Sequence, residues 1–313
     1  MPLRIVFCGT SDFALPSLRH LAAQPDFQIV GVVTQPDRPR GRGQATASPP
    51  VKDAAVAAGL AVYQPQKIKS DEALEYFKRV APDVVAIIAY GQIIPQRLIE
   101  IPRLGWINLH GSLLPKYRGA APVHRAILNG ETRTGLTTMR IDAGLDTGPM
   151  LLKYESEIGP DETAPELYAR LAEAGAPLLA ETLRGIERGT LTPAPQDNSQ
   201  ATFAPPLKKE EGRIDWSLPA QRIYNRIRGL QPWPGTFTSF RGKNCAIWGR
   251  PADLAPSQQP PGAIALRGDN VIVACGEGSA LRIDSVQLEG RKRITAREFA
   301  NGARLAPDDR FID

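Results

Sequence analysis

DVVAIIA, residues 83–89, is apolar at every position after its first. A run this short and this uniformly apolar fits a strand buried on both faces, as in the middle of a parallel sheet. Reading outward, the chain alternates. Upstream, residues 3–8 form a strand ending at Gly9. Residues 11–21 form a helix that Ser11 or Asp12 can cap, with Phe13, Leu18 and Leu21 at near-helical spacing, and residues 27–33 a second strand. A helix at 51–58, a short strand at 61–63 and a helix at 71–79 follow. Downstream, 106–110 is the next strand and 123–128 is helical after Pro122. Residues 134–141 and 150–158 are strands bracketing the loop 142–149, and 163–188 is one long helical pattern. Such alternation predicts an α/β domain over 1–188, a Rossmann-like, mostly parallel sheet covered by helices.

The pattern changes after that. Residues 189–206 (GTLTPAPQDNSQATFAPP) hold four prolines and few large apolar side chains, so an extended linker is expected. Beyond it a helix at 220–230 precedes short strands at 236–240, 245–250, 262–266, 271–275 and 281–288, most of them separated by Gly or Pro. Strands at this spacing predict a small β-barrel over 207–313, of the OB-like kind. Charge follows the same division. Residues 1–207 carry 21 Lys+Arg against 21 Asp+Glu, whereas 208–313 carry 17 against 12, so the whole net charge of +5 lies in the last third. A basic module beside a neutral one points to an anionic partner.

Composition narrows the class. With 42% hydrophobic and 23% charged residues over 313 positions, the chain is globular and long enough for a sizeable core. No apolar run approaches the roughly 18–20 residues that span a bilayer, so no membrane contact is expected. The first residues lack the long apolar segment of a secretion signal, and a cytoplasmic setting is expected. Cys8, Cys245 and Cys275 are far apart and include no C-x-x-C pair, so each is expected as a small buried side chain. With three histidines and no H-x-x-x-H or H-E-x-x-H, no metal site is expected. Cys8-Gly9-Thr10-Ser11-Asp12 has one Gly where a dinucleotide-binding turn wants three.

Three segments can carry chemistry. In WINLHGSLLPKYRGAAP (106–122), Asn108 and His110 are two apart on a strand and therefore share a face. At the carboxyl end of a parallel strand they border the crevice where ligands of open α/β sheets bind. A carboxamide N–H can donate to an oxygen gaining negative charge, and an imidazole can relay a proton near neutral pH. In IDAGLDTGPM (141–150), Asp142 or Asp146 can orient that imidazole or move a proton itself. In DRPRGRG (37–43), Arg38, Arg40 and Arg42 sit among Pro and Gly and can hold phosphates. His20 and His124, each on a predicted helix, are read as non-catalytic.

Together, the motifs and layout resemble the methionyl-tRNA formyltransferase family. INLHGSLLPKYRGAAP (107–122) is similar to its formyl-folate signature and DAGLDTGPM (142–150) to its partner loop. KKEEGRIDWS (208–217), PWPG (232–235) and LRIDSVQLEGRKR (281–293) are similar to its carboxyl-terminal domain. The resemblance implies a formyltransferase-type sheet domain, with 10-formyltetrahydrofolate as donor and methionyl-initiator tRNA as acceptor. It implies Asn108, His110 and Asp146 as the catalytic trio and so selects Asp146 over Asp142. It implies Ser112, Leu113, Leu114 and Pro115 as the folate-binding stretch. Arg42, with Arg38 and Arg40 beside it, would contact the tRNA, as would Lys208 and Lys209. A monomer is expected.

Overall fold

The strand Val84–Ile88 is buried at every residue, as its sequence requires, and the rest of the first sheet is arranged around it. The computed structural model describes residues 1–40, 45–254, 258–306 and 308–312, with backbone alone at 39, 40, 45 and 46. Arg42 lies outside the described residues. By internal packing the chain forms two units. The first is Met1–Pro122, Arg133–Glu157 and Leu167–Ala204; the second is Val123–Thr132, Ile158–Glu166 and Pro205–Asp313.

In chain order the elements up to the long helix are β1 (Leu3–Gly9), α1 (Leu15–Ala22), β2 (Phe27–Val33), β3 (Arg38–Arg40), β4 (Ala45–Ala47), α2 (Pro50–Ala57), β5 (Val62–Tyr63), α3 (Asp71–Val80), β6 (Val84–Ile88), α4 (Gln96–Ile99), β7 (Trp106–His110), α5 (Pro122–Leu128), β8 (Arg133–Arg140), β9 (Met150–Glu157) and α6 (Ala164–Glu187). The first unit holds a seven-stranded sheet in the order β5-β2-β1-β6-β7-β8-β9. From β5 to β7 all neighbours are parallel; β8 pairs antiparallel with β7, and β9 antiparallel with β8. The expected mostly parallel α/β sheet is present. For β8 and β9 the cause is simple: the connection 141–149 is too short for the dozen or more residues that a parallel crossover needs. The order reverses at β1, which has β2 on one side and β6 on the other. This is the switch point beyond which open α/β sheets bind ligands.

Both faces of β7 are covered. Trp106 lies 1% exposed on one face, its ring 5.2 Å from that of Phe77 in α3, and its Nε1 donates to Leu98 O at 2.8 Å. Leu109 faces the other way, onto α6, where a side chain at Gly175 would run into it. The period of two therefore puts Trp106, Asn108 and His110 on one face and Ile107 and Leu109 on the other. The first helix begins later than the sequence suggests. A short 3₁₀ turn at Asp12–Ala14 precedes α1, and Ser11 makes no cap bond; its hydroxyl instead lies 3.0 Å from the Tyr168 hydroxyl.

The second unit contains α7 (Ala220–Gly229), β10 (Phe237–Phe240), β11 (Lys243–Pro251), β12 (Ile264–Arg267), β13 (Asn270–Ala274), β14 (Ala280–Leu288), β15 (Ile294–Thr295), α8 (Ala296–Ala303) and β16 (Phe311–Ile312). Its strands form an antiparallel sheet in the order β12-β13-β14-β11-β10-β16, with β15 added to β14. Among the described residues the strand order runs from β12 to β16, and the expected carboxyl-terminal β domain is present as an antiparallel sheet. The core is aromatic: Trp216 stacks on Phe311 at 5.5 Å, and Phe240 and Phe299 meet edge-on at 5.0 Å. The helix α8 was not expected from hydrophobic pattern, yet it has a local signal: Thr295-Ala-Arg-Glu298 spells a capping box. Glu298 N donates to Thr295 Oγ1 at 3.2 Å, and Thr295 N returns a bond to Glu298 Oε2 at 2.8 Å.

Cys8, Cys245 and Cys275 are free and buried, and burial pushes the Cys245 and Cys275 thiols up to about 12. Among the described residues no helix is long and apolar enough to cross a membrane.

Candidate active site

Asn108 and His110 end β7, with Asn108 paired to Ile87 of β6 and to Met139 of β8, and His110 opposite Thr137. His110 is 5% exposed, while Asn108 is half-buried. No described residue hydrogen-bonds the Asn108 carboxamide, so its N–H groups are available to a ligand.

His110 is held from both sides. Nε2 lies 2.9 Å from Tyr117 O, and because a carbonyl can only accept, the ring donates there. Nδ1 lies 3.7 Å from Asp146 Oδ2, longer than a direct hydrogen bond but within ion-pair reach. In the neutral ring the single proton sits on Nε2, leaving the Nδ1 lone pair toward the carboxylate. A second proton taken up at Nδ1 would face that negative charge. The pair thus offers a defined place for a proton in transit.

Asp146 and Asp142 are sorted by geometry. Asp146 Oδ2 accepts from Gly119 N at 2.8 Å, and its backbone adopts φ +52°, a left-handed conformation costing about 1–3 kcal/mol for a non-glycine residue. Asp142 Oδ1 instead accepts from Gly144 N at 3.0 Å and Thr147 Oγ1 at 2.7 Å, shaping its own turn. Gly119 has a structural reason to be glycine. At φ +122°, an added Cβ would come 2.8 Å from Ala204 O, so the amide that holds Asp146 could not stay where it is.

The turn after His110 is closed internally. Thr137 Oγ1 donates to Ser112 O at 2.7 Å and accepts from Leu114 N at 3.0 Å. Ser112 Oγ donates to Lys116 O at 2.6 Å, and Lys153 Nζ donates to Leu114 O at 2.7 Å. Ser112 and Leu114 are buried by this; Leu113 and Pro115 remain half-exposed.

Several residues here were missed by the sequence reading because they lie in the Pro-rich stretch taken for a linker. Thr202 Oγ1 accepts from Tyr117 N at 2.9 Å, and Thr202 O accepts from Arg118 N at 2.8 Å. Gln196 bonds both to Arg118 and to the backbone of the Asp146 loop. Polar residues among prolines carry no local signal that distinguishes such contacts from solvent exposure.

Arg38 is exposed and donates to Gln35 Oε1 at 3.2 Å; Arg40 is described by backbone alone, in β3 paired with β4. Lys208 and Lys209 are exposed and belong to the second unit; the trio belongs to the first. Glu211 fixes their backbone, accepting from Lys208 N at 2.7 Å, and forms a two-pronged pair with Arg125 of α5. The Arg125 hydrogen bonds, reinforced by the Lys208 amide, lower the Glu211 carboxyl below its ordinary value of 4.5. A carboxylate lowered in the folded state stabilises above the unfolded value, and that stabilisation fades as pH falls through the folded one. Glu211→Gln is therefore expected to cost about 1–2 kcal/mol at pH 7. The difference should shrink below about pH 4. Denaturant midpoints of both proteins at the two pH values check it; an unchanged difference would contradict the assignment.

Comparison with known proteins fits this geometry. Residues 3–183 match the family model described as formyl transferase, and 206–304 the one described as formyl transferase, C-terminal domain. A sugar 3N-formyl transferase, solved in the presence of dTDP and 5-N-formyl-THF, shares the fold at TM-score 0.68 and 19% identity, over 93% of this chain and 100% of that one. Sheet, site and matches together define a formyl transferase. The methionyl-tRNA formyltransferase of Solibacter usitatus is 55% identical over 309 residues, covering 99% of this chain and 98% of that protein. That of Koribacter versatilis is 52% identical, covering 98% of each. The chain belongs to the methionyl-tRNA formyltransferase family.

Proposed function

We propose that the chain transfers a formyl group from 10-formyltetrahydrofolate to the α-amino group of methionine esterified to initiator tRNA. The observation that carries this reading is the Asn108 carboxamide, which no described residue hydrogen-bonds, set two residues before a histidine that faces a carboxylate. The donor supplies the formyl carbon and, as leaving group, its N10. Asn108 donates to the formyl oxygen as negative charge builds there. His110 takes a proton from the attacking amine at Nδ1 and passes one to N10, with Asp146 facing the charged ring. A new C–N bond forms, the bond to N10 breaks, and the proton lost by the amine ends on the folate. Leu113 and Pro115 offer the donor apolar surface, while Ser112 and Leu114 hold the shape of that turn. Neither a metal nor a covalent intermediate with the protein is required.

Residues 1–188 are assigned to formyl transfer and 207–313 to tRNA, joined by 189–206, part of which braces the site. The second unit is read as an OB-like barrel. Its end strands approach through the Ala263–Arg310 bridge, and Phe311 N donates to Gly262 O at 2.9 Å. The excess positive charge of 208–313 serves the tRNA body. Arg42, with Arg38 and Arg40 beside it, serves the acceptor end, and Lys208 and Lys209 also contact the tRNA. The proposed working form is a cytoplasmic monomer.

Incubating the protein with 10-formyltetrahydrofolate and methionyl-initiator tRNA should give formylmethionyl-tRNA. Formate release without an acceptor, or formylation of small amines alone, would overturn the reading. Binding of the tRNA should weaken steeply between roughly 50 and 300 mM salt, because released counterions drive contacts to phosphates. A flat dependence would remove the purpose given to 207–313.

A further inference from the structure

Gln196 has no part in the mechanism above, yet its carboxamide is fully used. Nε2 donates to Asp146 O and to Gly148 O, each at 2.8 Å. Oε1 accepts from Arg118 Nε at 3.0 Å and from an Arg118 terminal nitrogen at 2.8 Å. Both N–H groups and both lone pairs are thus engaged.

These bonds join the two backbone segments that grip His110. Arg118, 4% exposed, follows Tyr117, whose carbonyl takes the His110 Nε2 proton. Gly119, next in line, gives its amide to Asp146 Oδ2. Asp146 and Tyr117 (φ +61°) both adopt the left-handed conformation, which persists only where neighbours enforce it. The circuit runs from His110 through Tyr117, Arg118 and Gln196 to Asp146 and back across 3.7 Å to His110.

We propose that Gln196 is a positioning residue that sets the distance and direction of the Asp146 carboxylate relative to His110, clamping the Asp146 loop to the turn after β7. Among natural side chains, glutamine suits this place because it presents two donors to the loop carbonyls and two acceptor positions to the guanidinium. Glutamate would satisfy Arg118 but set an oxygen against two carbonyls. Methionine would keep the length and lose all four bonds. The proposal rests on the formyl-transfer reading of the site.

The test compares wild type, Gln196→Met and Gln196→Glu in steady-state formyl transfer, each also in an Asp146→Asn background, with thermal midpoints measured in parallel. Displacing a reacting group by about 1 Å costs on the order of 10²-fold. Gln196→Met should therefore lower kcat by about 10–10²-fold, with KM for both substrates changed less than about twofold. Gln196→Glu should be at least as impaired, and it carries the same comparison should Gln196→Met fail to fold. With Asn at 146, adding Gln196→Met should cost less than about threefold further, since the carboxylate it places is gone. Wild-type kcat in the folded variants would overturn the proposal, as would a loss explained by the unfolded fraction or a full multiplication of effects in the Asp146→Asn background. Absence of formyl transfer by the wild type sinks the parent reading instead, before any variant is compared.

Discussion

Asn108→Ala is expected to lower kcat for formyl transfer by about 10²–10³, the usual cost of removing one donor to a developing oxyanion. Affinity for methionyl-tRNA should stay within about twofold, because the role proposed for the carboxamide is on the reacting oxygen and not on the nucleic acid. The fold should survive the change. Asn108 is half-buried, and no described residue hydrogen-bonds its carboxamide, so truncation strands no internal partner. Single-turnover rates with saturating substrates isolate the chemical step. A variant with wild-type kcat would show that the oxygen is stabilised by some other group.

The second large effect concerns Asp146. Asp146→Asn keeps an oxygen for the Gly119 amide and removes the charge facing His110 Nδ1. Proton transfer through a positioned side chain contributes typically 10²–10⁴-fold, so a fall of about 10² in kcat is expected when the charged ring loses its counter-charge. Asp142→Asn is the matched control. Its carboxylate oxygen shapes a turn through Gly144 and Thr147. That variant should keep kcat within about threefold and lose some thermal stability instead, on the scale of one or two hydrogen bonds. Equal losses in both variants would mean that the loop's shape, and not the charge at 146, is what the reaction needs.

Much of the fold could be read from local pattern. The run at 83–89 gave away β6 because a strand buried on both faces tolerates no polar residue. The parallel order up to β7 followed from helices lying between successive strands, and the antiparallel β8–β9 pair from a connection too short to contain one; β8 runs antiparallel to β7 although α5 lies between them. Misses occurred where local signals were weak or overridden. Ser11 looked like a helix cap, but its hydroxyl lies against Tyr168, 157 residues away in sequence. The polar residues of 189–206 looked solvated because proline and small polar residues commonly are. Their use depends on a surface that exists only after β7, β8 and β9 have assembled.

By itself the sequence determined the alternation of strands and helices, the shared face of Asn108 and His110, and the concentration of positive charge after residue 207. These are matters of backbone period and composition, which neighbours along the chain decide. The residues by themselves left Asp142 and Asp146 open and the family resemblance chose Asp146; only the tertiary structure decided how that aspartate meets the histidine, how the turn after β7 is closed, and what Gln196 holds. Those outcomes rest on bonds such as Arg118 to Gln196, between residues 78 apart. No local preference encodes a partner at that distance; packing of the whole sheet does.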